Sequence, residues 1–196
     1  MSRIFITGST DGLGLAAART LMKEGHDVVL HARSRERASA IAETSALLTA
    51  WITRPDRLVY LSSGMHRSGS SALDDIDWKK RPWNASQAYS ESKLYIATLA
   101  ASVARHWPDV LSNAVDPGWV PTKMGGAGAP DDLEMGHLTQ TWLAASDDGA
   151  AKVSGGYWYH RQRREVAAEV GDIGFQDTLV DTLAGLTGVH LFAERR

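Results

Sequence analysis

The chain has 196 residues, 43% of them hydrophobic, with 21 Lys and Arg against 23 Asp and Glu and a formal net charge of -2. This composition fits one globular domain over residues 1–196 with a sizeable core, and its near-neutral balance gives no reason to expect nucleic acid or an anionic membrane as a partner. The absence of cysteine excludes disulfides, thiolate metal sites and cysteine nucleophiles.

The sequence favours a cytoplasmic protein. No apolar run is long enough to span a bilayer, and the first residues enter a strand pattern without the architecture of a signal peptide. The densest basic run, at 161–165, is interpreted as a solvated face.

Hydrophobic periodicity predicts strands and helices that alternate along the chain. The predicted strands are short and rich in β-branched or aromatic residues, and they lie at 3–7, 27–32, 57–63, 110–115 and near 155–160. The predicted helices carry apolar residues at helical spacing, and they lie at 13–23, 35–52, 86–106, 135–145 and 175–186. This alternation predicts an α/β fold with a Rossmann-like, doubly wound parallel sheet.

A glycine-rich turn, "TGSTDGLG" at 7–14, joins the first strand to the first helix. Its spacing is G-x-x-x-G-x-G, which is neither the usual dinucleotide fingerprint nor a Walker A loop. Glycines allow close backbone approach, and the N-terminal amides of the helix favour a pyrophosphate, so cofactor binding is preferred over a merely tight turn. The candidate cofactor contacts here are Gly8, Thr10, Gly12, Leu13 and Gly14.

Arg33 follows the second strand, where doubly wound nucleotide-binding folds distinguish the adenosine ribose. An acidic residue would accept a hydrogen bond from a 2′-hydroxyl, whereas an arginine binds a 2′-phosphate through two parallel hydrogen bonds. The sequence therefore favours NADP over NAD, with an ordinary exposed arginine as the alternative interpretation.

Tyr89 and Lys93 are four residues apart on a predicted helix and therefore share one face. A free tyrosine has a pKa near 10, and a nearby lysine cation is expected to lower it and so provide a proton donor and acceptor. Ser62 and Ser63 end the preceding strand and are expected to open toward the same crevice.

These motifs, in this order, resemble the short-chain dehydrogenase/reductase family. The resemblance rests on "TGSTDGLG", on "VYLSSG" followed by "YSESK", and on "NAVDPGWVPT" at 113–122, while the long loop before Tyr89 resembles the retinol-dehydrogenase-like branch. It implies that Ser63 orients the substrate, Tyr89 transfers the proton and Lys93 holds the nicotinamide ribose. It also implies that Val120 and Thr122 lie against the nicotinamide carboxamide.

The interval from 34 to 61 departs from the family pattern, because its 28 residues allow one crossover helix and no additional strand pair. The family's Asn-Ala-Gly motif is missing, and no asparagine occurs before Asn84, so the relay asparagine is missing too. The simplest account is an internal loss of about two βαβ-sized pieces, with two helix fragments joined near 42–45; the alternative is a sheet with fewer strands by descent. The predicted sheet is thus shortened by about two strands.

Two outcomes are expected for a sheet without its central strand. If the sheet closes, the serine strand moves by roughly 4.8 Å. This displacement is much larger than the positional error of about 1 Å that is already costly for proton transfer. If the gap stays open, two strands present unpaired backbone groups. A rearranged or partner-completed site is therefore expected, and a homo-oligomer is compatible with the sequence.

Weaker signals have structural alternatives. His66 and His160 lack a second ligand at metal spacing, so no metal is expected and both are interpreted as loop residues near the substrate. A group of aromatic and sulfur-containing side chains fits either a hydrophobic substrate pocket or ordinary core; it comprises Trp119, Met124, Trp158 and Tyr159.

The leading hypothesis is an NAD(P)-dependent dehydrogenase or reductase that transfers hydride between NADP(H) and a small alcohol or carbonyl substrate. The alternative is a catalytically impaired nucleotide-binding or interaction protein derived from the same family.

Overall fold

A computed structural model describes residues 1–7, 12–30 and 54–192 of the chain. The strands are β1 (Arg3–Ile6), β2 (Asp27–Leu30), β3 (Arg57–Leu61), β4 (Leu111–Asp116), β5 (Gly156–Tyr159) and β6 (Gln162–Arg164). The α-helices are α1 (Gly12–Lys23), α2 (Ala85–His106), α3 (Met135–Ala145), α4 (Ala168–Gly171) and α5 (Ile173–Thr187). Short 3-10 helices occupy Gly64–Ser68 and Gly149–Ala151. The predicted helix at 35–52, with its proposed junction at 42–45, lies outside the described residues.

The strands form two separate sheets. β1 pairs with β2 in parallel, with Arg3 opposite Asp27. A second sheet has the order β3-β4-β5-β6, in which the first three strands are parallel. The predicted α/β fold with parallel strands is confirmed, and within the described ranges no ladder joins the two sheets. The physical reason is the short interval between β2 and β3, which has no room for the strands that would lie between them.

The two-stranded sheet of β1 and β2 leaves large apolar side chains exposed to solvent. Phe5 and Val29, on neighbouring strands, are 44% and 41% exposed. Burial of such side chains would stabilise the fold by about 1.5–3 kcal/mol each. Of the two expected outcomes for the interrupted sheet, the described residues therefore show the open gap.

The main core lies between the larger sheet and α2. Asn84 caps this helix by accepting a hydrogen bond from the Gln87 backbone N–H at 3.0 Å. Leu94, Leu99 and Val103 of α2 are fully buried in one cluster that also includes side chains of β3, β4, β5 and α5. This packing fixes α2 against the carboxyl end of β3, where the site residues lie.

The β1–α1–β2 unit is joined to the rest of the protein through α1 and α3. Thr20 Oγ1 lies 3.0 Å from His137 Nε2 across this contact. Gly136 allows the helices to approach, since a Cβ there would lie 2.7 Å from Val120 Cγ1 and 3.0 Å from Leu13 Cδ2. The beginning of α1 therefore lies beside the loop that follows β4.

A hairpin connects β5 and β6, and the sequence analysis did not predict its second strand. Tyr159 pairs with Gln162, leaving two loop residues, His160 and Arg161, both at positive φ (48° and 60°). Such two-residue loops usually contain glycine or asparagine, so the sequence lacked the normal hairpin signal. The basic run at 161–165 is exposed, as expected of a solvated face.

Among the helices that the structure describes, none combines the length and apolar character needed to cross a membrane.

Candidate functional site

Ser63 and Tyr89 meet at the carboxyl end of β3. Ser63 follows this strand and begins a 3-10 helix, where its Oγ accepts a hydrogen bond from the Met65 backbone N–H at 3.3 Å. Tyr89 lies in the first turns of α2, with its hydroxyl close enough to the Ser63 side chain for that side chain to act on its pKa. The structure thus brings together the serine and tyrosine that the sequence analysis selected.

The two neighbouring serines have different environments. Ser62 is buried, and its Oγ donates a hydrogen bond to the Lys93 carbonyl oxygen at 2.9 Å. Ser63 is only partly buried and is the serine beside the Tyr89 hydroxyl. Ser62 therefore anchors β3 to α2, while Ser63 is available for chemistry.

Lys93 lies one helical turn after Tyr89, with its side chain directed at the end of β3. Its Nζ donates a hydrogen bond to the Leu61 carbonyl oxygen at 3.0 Å and lies 5.4 Å from the centroid of the Tyr89 ring. Burial lowers the pKa of Lys93 to about 8, and the Asp116 carboxylate opposes that lowering. Lys93 is therefore a buried side chain that is still mostly protonated at neutral pH, with a pKa only slightly above that pH.

The pKa of Tyr89 is raised in this structure, whereas the sequence analysis expected a lowered pKa beside a lysine cation. Burial raises the pKa of Tyr89, the Asp116 carboxylate raises it further, and the hydrogen bond with Ser63 acts in the opposite direction. The cost of burying a phenolate exceeds the stabilisation available from its neighbours here. Tyr89 is consequently a protonated hydroxyl at neutral pH, suited to donating rather than accepting a proton.

The cofactor contacts expected on the first turn are partly described. Gly12 begins α1 with a φ of 51°, and a Cβ there would lie 3.7 Å from Thr122 Cγ2. Leu13 and Gly14 are half-buried on the same turn. Gly8, Thr10 and Arg33 lie outside the described residues.

The described part of the site fits a nicotinamide cofactor. Val120 is buried beside Leu13, and Thr122 lies beside Gly12, so the loop after β4 meets the beginning of α1. An ammonium has three protons to donate, and Leu61 is the one hydrogen-bond acceptor of Lys93 Nζ among the described residues. The remaining donors suit a ribose diol.

Asp116 is a site residue that the sequence analysis missed. It ends β4, and its carboxylate raises the pKa of Lys93, Tyr89 and Tyr157. The available signal was its position immediately before Pro117 and Gly118, at the carboxyl end of a strand in the expected crevice.

A cavity of about 490 Å³ lies next to Ser63, at the carboxyl ends of β3, β4 and β5. Its walls include Gly64, Asp116 and Tyr157. A volume of this size suits a drug-sized small molecule.

His66 is not a free loop side chain. It is fully buried, its Nδ1 lies 2.8 Å from the Ser63 carbonyl oxygen, and its Nε2 accepts a hydrogen bond from the Ala167 backbone N–H at 3.1 Å. Because Nε2 accepts, Nδ1 carries the proton and donates to Ser63. His66 lines the cavity, yet its ring nitrogens are both occupied in holding the Ser63 turn.

The remaining aromatic, methionine and histidine residues singled out in the sequence lie in different environments. Trp158 belongs to the core, whereas Tyr159 lines the cavity. Trp119 and Met124 are largely exposed, so neither packs in a core. His160 stacks on Tyr159, with ring centroids 3.8 Å apart. No group of three His, Cys, Asp or Glu residues in the described ranges is arranged to hold a metal ion.

Comparison with known proteins identifies the family. The family model described as short chain dehydrogenase matches residues 2–55. A short-chain dehydrogenase of Penicillium rubens is 30% identical over 256 aligned positions, which cover 97% of this chain and 99% of that relative. The chain therefore belongs to the short-chain dehydrogenase/reductase family.

The same alignment shows that this chain is shorter within the matched region. Its 256 positions exceed the 196 residues here, so at least 60 positions have no residue of this chain, although both proteins are matched almost end to end. Human retinol dehydrogenase 13 is 36% identical over 73 residues, covering 36% of this chain and 22% of that protein. The predicted resemblance to the retinol-dehydrogenase-like branch is confirmed over that stretch.

Solved structures confirm the α/β fold. An uncharacterized protein from Mycobacterium paratuberculosis matches with a TM-score of 0.73 at 18% identity, covering 96% of this chain and 94% of that one. A short-chain dehydrogenase from Shigella flexneri, complexed with NADP, matches with a TM-score of 0.55 at 16% identity, covering 82% of this chain and 97% of that one.

Proposed function

We propose that the protein, acting as a single domain, transfers hydride between NADP(H) and an alcohol or carbonyl substrate. The observation that supports this proposal is the meeting of Ser63 and Tyr89 at the end of β3, with the buried ammonium of Lys93 one helical turn away. Membership of an oxidoreductase family gives the reaction class.

Each residue has a proposed role. Ser63 donates a hydrogen bond to the substrate oxygen and orients it, while Tyr89 gives its proton to that oxygen as negative charge develops there. Lys93 holds a ribose hydroxyl and places a positive charge near the Tyr89 ring, which stabilises the phenolate left behind. The bound nicotinamide supplies the hydride.

The cofactor would be held from two sides. The beginning of α1, with Gly12, Leu13 and Gly14, would form one side, and Val120 and Thr122 would form the other. Gly8 and Thr10 are proposed as further contacts from the glycine-rich sequence motif alone. Arg33 favours NADP through its ability to bind a 2′-phosphate, and the similar Shigella flexneri structure contains NADP.

A second candidate function is binding without turnover. Two observations favour it: the described strands form two unconnected sheets, and burial raises the pKa of Tyr89 rather than lowering it. Under this alternative the protein binds the nucleotide or a partner but does not transfer hydride.

A comparison of Tyr89→Phe with the parent protein separates the two candidates. NADPH affinity is measured by fluorescence titration, and turnover with a panel of carbonyl compounds. We expect Tyr89→Phe to keep NADPH binding and to lose about a hundredfold or more in kcat. Tyr95→Phe is the matched control: Tyr95 lies on the same helix, and its hydroxyl instead contacts the Ala72 carbonyl oxygen at 3.2 Å.

Saturable NADPH binding without any turnover that depends on Tyr89 would support the second candidate. A parent protein that does not bind NADPH would exclude NADP(H)-dependent hydride transfer and NADPH binding, and would leave only the binding of a partner under the second candidate.

A further inference from the structure

Asp116 lies at the centre of the carboxyl edge of the larger sheet. The neighbouring Val115 pairs with Leu61 of β3, and Asp116 itself pairs with Tyr159 of β5. The Ser62 backbone N–H donates to the Val115 carbonyl oxygen at 2.8 Å. The Asp116 side chain is thus fixed next to the Ser63 turn and lines the adjacent cavity.

The two carboxylate oxygens of Asp116 have different surroundings. Oδ1 accepts a hydrogen bond from the Gly118 backbone N–H at 3.0 Å. Oδ2 points toward Gly64, since a Cβ on that glycine would lie 3.1 Å from it. Among the described residues no donor is bound to Oδ2. One oxygen therefore holds the carboxylate in place, and the other is left as a fixed acceptor at the cavity wall beside Ser63.

The charges around the cavity favour a neutral ligand. Arg67 and Arg164 line it together with Asp116 and Glu165, so the formal charges cancel. The two arginines act against an ammonium ligand, and the carboxylates of Asp116 and Glu165 act against an anionic one. The donor that suits Asp116 in this setting is a hydroxyl group.

We propose that Asp116 is a specificity-determining residue that accepts a hydrogen bond from a hydroxyl group of a neutral, hydroxylated carbonyl substrate held in the cavity beside Ser63. This assignment rests on the proposed function, because it places the substrate carbonyl at Ser63 and Tyr89. It adds the substrate class: ketones or aldehydes that carry a hydroxyl donor, preferred over the same compounds with that hydroxyl blocked.

A carboxylate gives this preference a physical basis. Hydrogen bonds to charged groups contribute about 1.5–3 kcal/mol, which corresponds to roughly tenfold or more in affinity. A ligand whose hydroxyl is blocked cannot donate this hydrogen bond. It also displaces water from Asp116 Oδ2 without replacing the hydrogen bond that the water donated. The preference therefore appears mainly in binding of the substrate and in KM.

The test uses hydroxylated tetralones and their methoxy ethers, in several positional isomers. The ethers are electronically similar ketones that lack the donor. The isomers are chosen so that the phenol is predominantly neutral at pH 7, which excludes those strongly acidified by conjugation with the ketone. For at least one isomer we expect the wild-type protein to bind the hydroxy ketone roughly tenfold more tightly than its ether. Calorimetry measures binding with and without NADPH, and steady-state kinetics measures turnover.

Asp116→Asn is the informative variant. Its Oδ1 can keep the hydrogen bond from Gly118, while an amide N–H₂ donor replaces Oδ2. We expect the preference for the hydroxy ketone to fall to about unity or to reverse toward the ether. Thermal unfolding checks that the variant folds.

Gly64→Ala provides a second variant that leaves the charge in place. Its methyl group would lie 3.1 Å from Oδ2 and so block access to that oxygen, and we expect it to reduce the preference as well. Equal binding of both ketones by the wild-type protein, binding of neither, or a preference unchanged in both variants would overturn the proposal.

The calorimetric binding measurements test the role of Asp116 independently of hydride transfer. A preference in calorimetry without any turnover would contradict hydride transfer but support the role of Asp116. Tyr89-dependent turnover with no preference between the paired ketones would do the reverse.

Discussion

The Lys93 ammonium nitrogen lies 3.0 Å from the Leu61 carbonyl oxygen, so a buried cation of α2 binds the last residue of β3. This contact orients the ammonium beneath the Tyr89 ring and fixes the strand that ends at Ser63. The same burial lowers the pKa of Lys93 to about 8, and this shift has consequences for stability.

We expect stability to rise between about pH 8 and pH 10 because of Lys93. Its folded-state pKa lies below the unfolded value of 10.5, so the unfolded chain binds more protons in this window and loses them as the pH increases. Lys93→Met should remove this rise and stabilise the protein at pH 7, by an amount on the order of 1–3 kcal/mol. Urea unfolding at a series of pH values measures both effects.

Lys152→Met is the control for this experiment, since the Lys152 side chain is 46% exposed and its ammonium pairs with Asp147 on the surface. It should leave the slope of stability against pH unchanged. The series stops at pH 10 because burial raises the pKa of Tyr95 and of Tyr157, which lowers stability above that pH. If the parent protein and Lys93→Met gave parallel curves of unfolding free energy against pH, Lys93 would not be the group responsible for the rise.

Because His66 is buried, we expect the protein to lose stability in acid. Burial lowers its pKa, because protonation would place a charge in the core and break the hydrogen bond from Ala167. As the pH falls below the ordinary histidine pKa of 6.5, the folded state thus binds fewer protons than the unfolded state, and stability falls. Circular dichroism melting between pH 7 and pH 5 should show the fall.

His66→Gln should flatten this acid limb. Glutamine can still accept the Ala167 N–H bond but does not titrate, and the loss of one hydrogen bond should cost about 1 kcal/mol at pH 7. His190→Gln, at an exposed position, should keep the wild-type pH dependence. If His66→Gln and the parent lost stability equally in acid, another group would be responsible.

Regular elements and the proximity of the candidate residues Ser63 and Tyr89 were predictable because local sequence determines them. The helix predicted at 135–145 has those bounds in the structure, and the meeting of Ser63 with Tyr89 follows from a strand end and a neighbouring helix. The environment of His66 was not predictable, because its partner Ala167 lies 101 residues away in the chain. For the same reason the raised pKa of Tyr89 could not be derived from the lysine four residues later.

Sequence length alone indicated that the sheet is interrupted, but not which outcome would result. Whether β1 would move to β3 or stay apart depends on packing between α1 and α3, through Thr20 and His137, and neither residue belongs to a recognisable motif. Asp116 was missed because its importance comes from strand pairing, which places it next to the Ser63 turn.

The long loop before Tyr89 depends on a buried ion pair. Arg81 donates two parallel hydrogen bonds to Glu91, at 2.8 Å and 2.5 Å, and the Glu91 carboxylate is almost completely buried. Removing one partner leaves an uncompensated charge, so we expect Arg81→Met to lower the free energy of unfolding by about 3–5 kcal/mol. Chemical denaturation measures the loss.

The double variant Arg81→Met with Glu91→Leu tests this explanation. Because replacing both charges by apolar groups removes the desolvation cost, it should recover most of the lost stability. Arg54→Met, at an exposed pair with Asp109, should change stability by less than about 1 kcal/mol. A double variant as unstable as Arg81→Met would show that packing of the arginine stem, rather than charge, stabilises the loop.

Gly136 connects the architecture to cofactor binding. Its missing side chain lets Val120 approach Leu13, and a Cβ at this position would meet both at 3.0 Å or less. Gly136→Ala should therefore push apart the beginning of α1 and the loop after β4, the two sides proposed to hold NADP(H). We expect the Kd for NADPH to rise roughly tenfold, because a displacement of even 1 Å is costly in a preorganised site.

Gly185→Ala is the matched control, since it also adds one methyl group to a helix but meets no atom within 4 Å. It should leave NADPH affinity unchanged and stabilise the fold by about 0.5–1 kcal/mol. Fluorescence titration and thermal unfolding of the two variants distinguish a local displacement from general destabilisation. If Gly136→Ala lowered the melting temperature but bound NADPH as tightly as the parent, the α1–α3 contact would serve folding alone, and the cofactor would be held independently of the spacing between Leu13 and Val120.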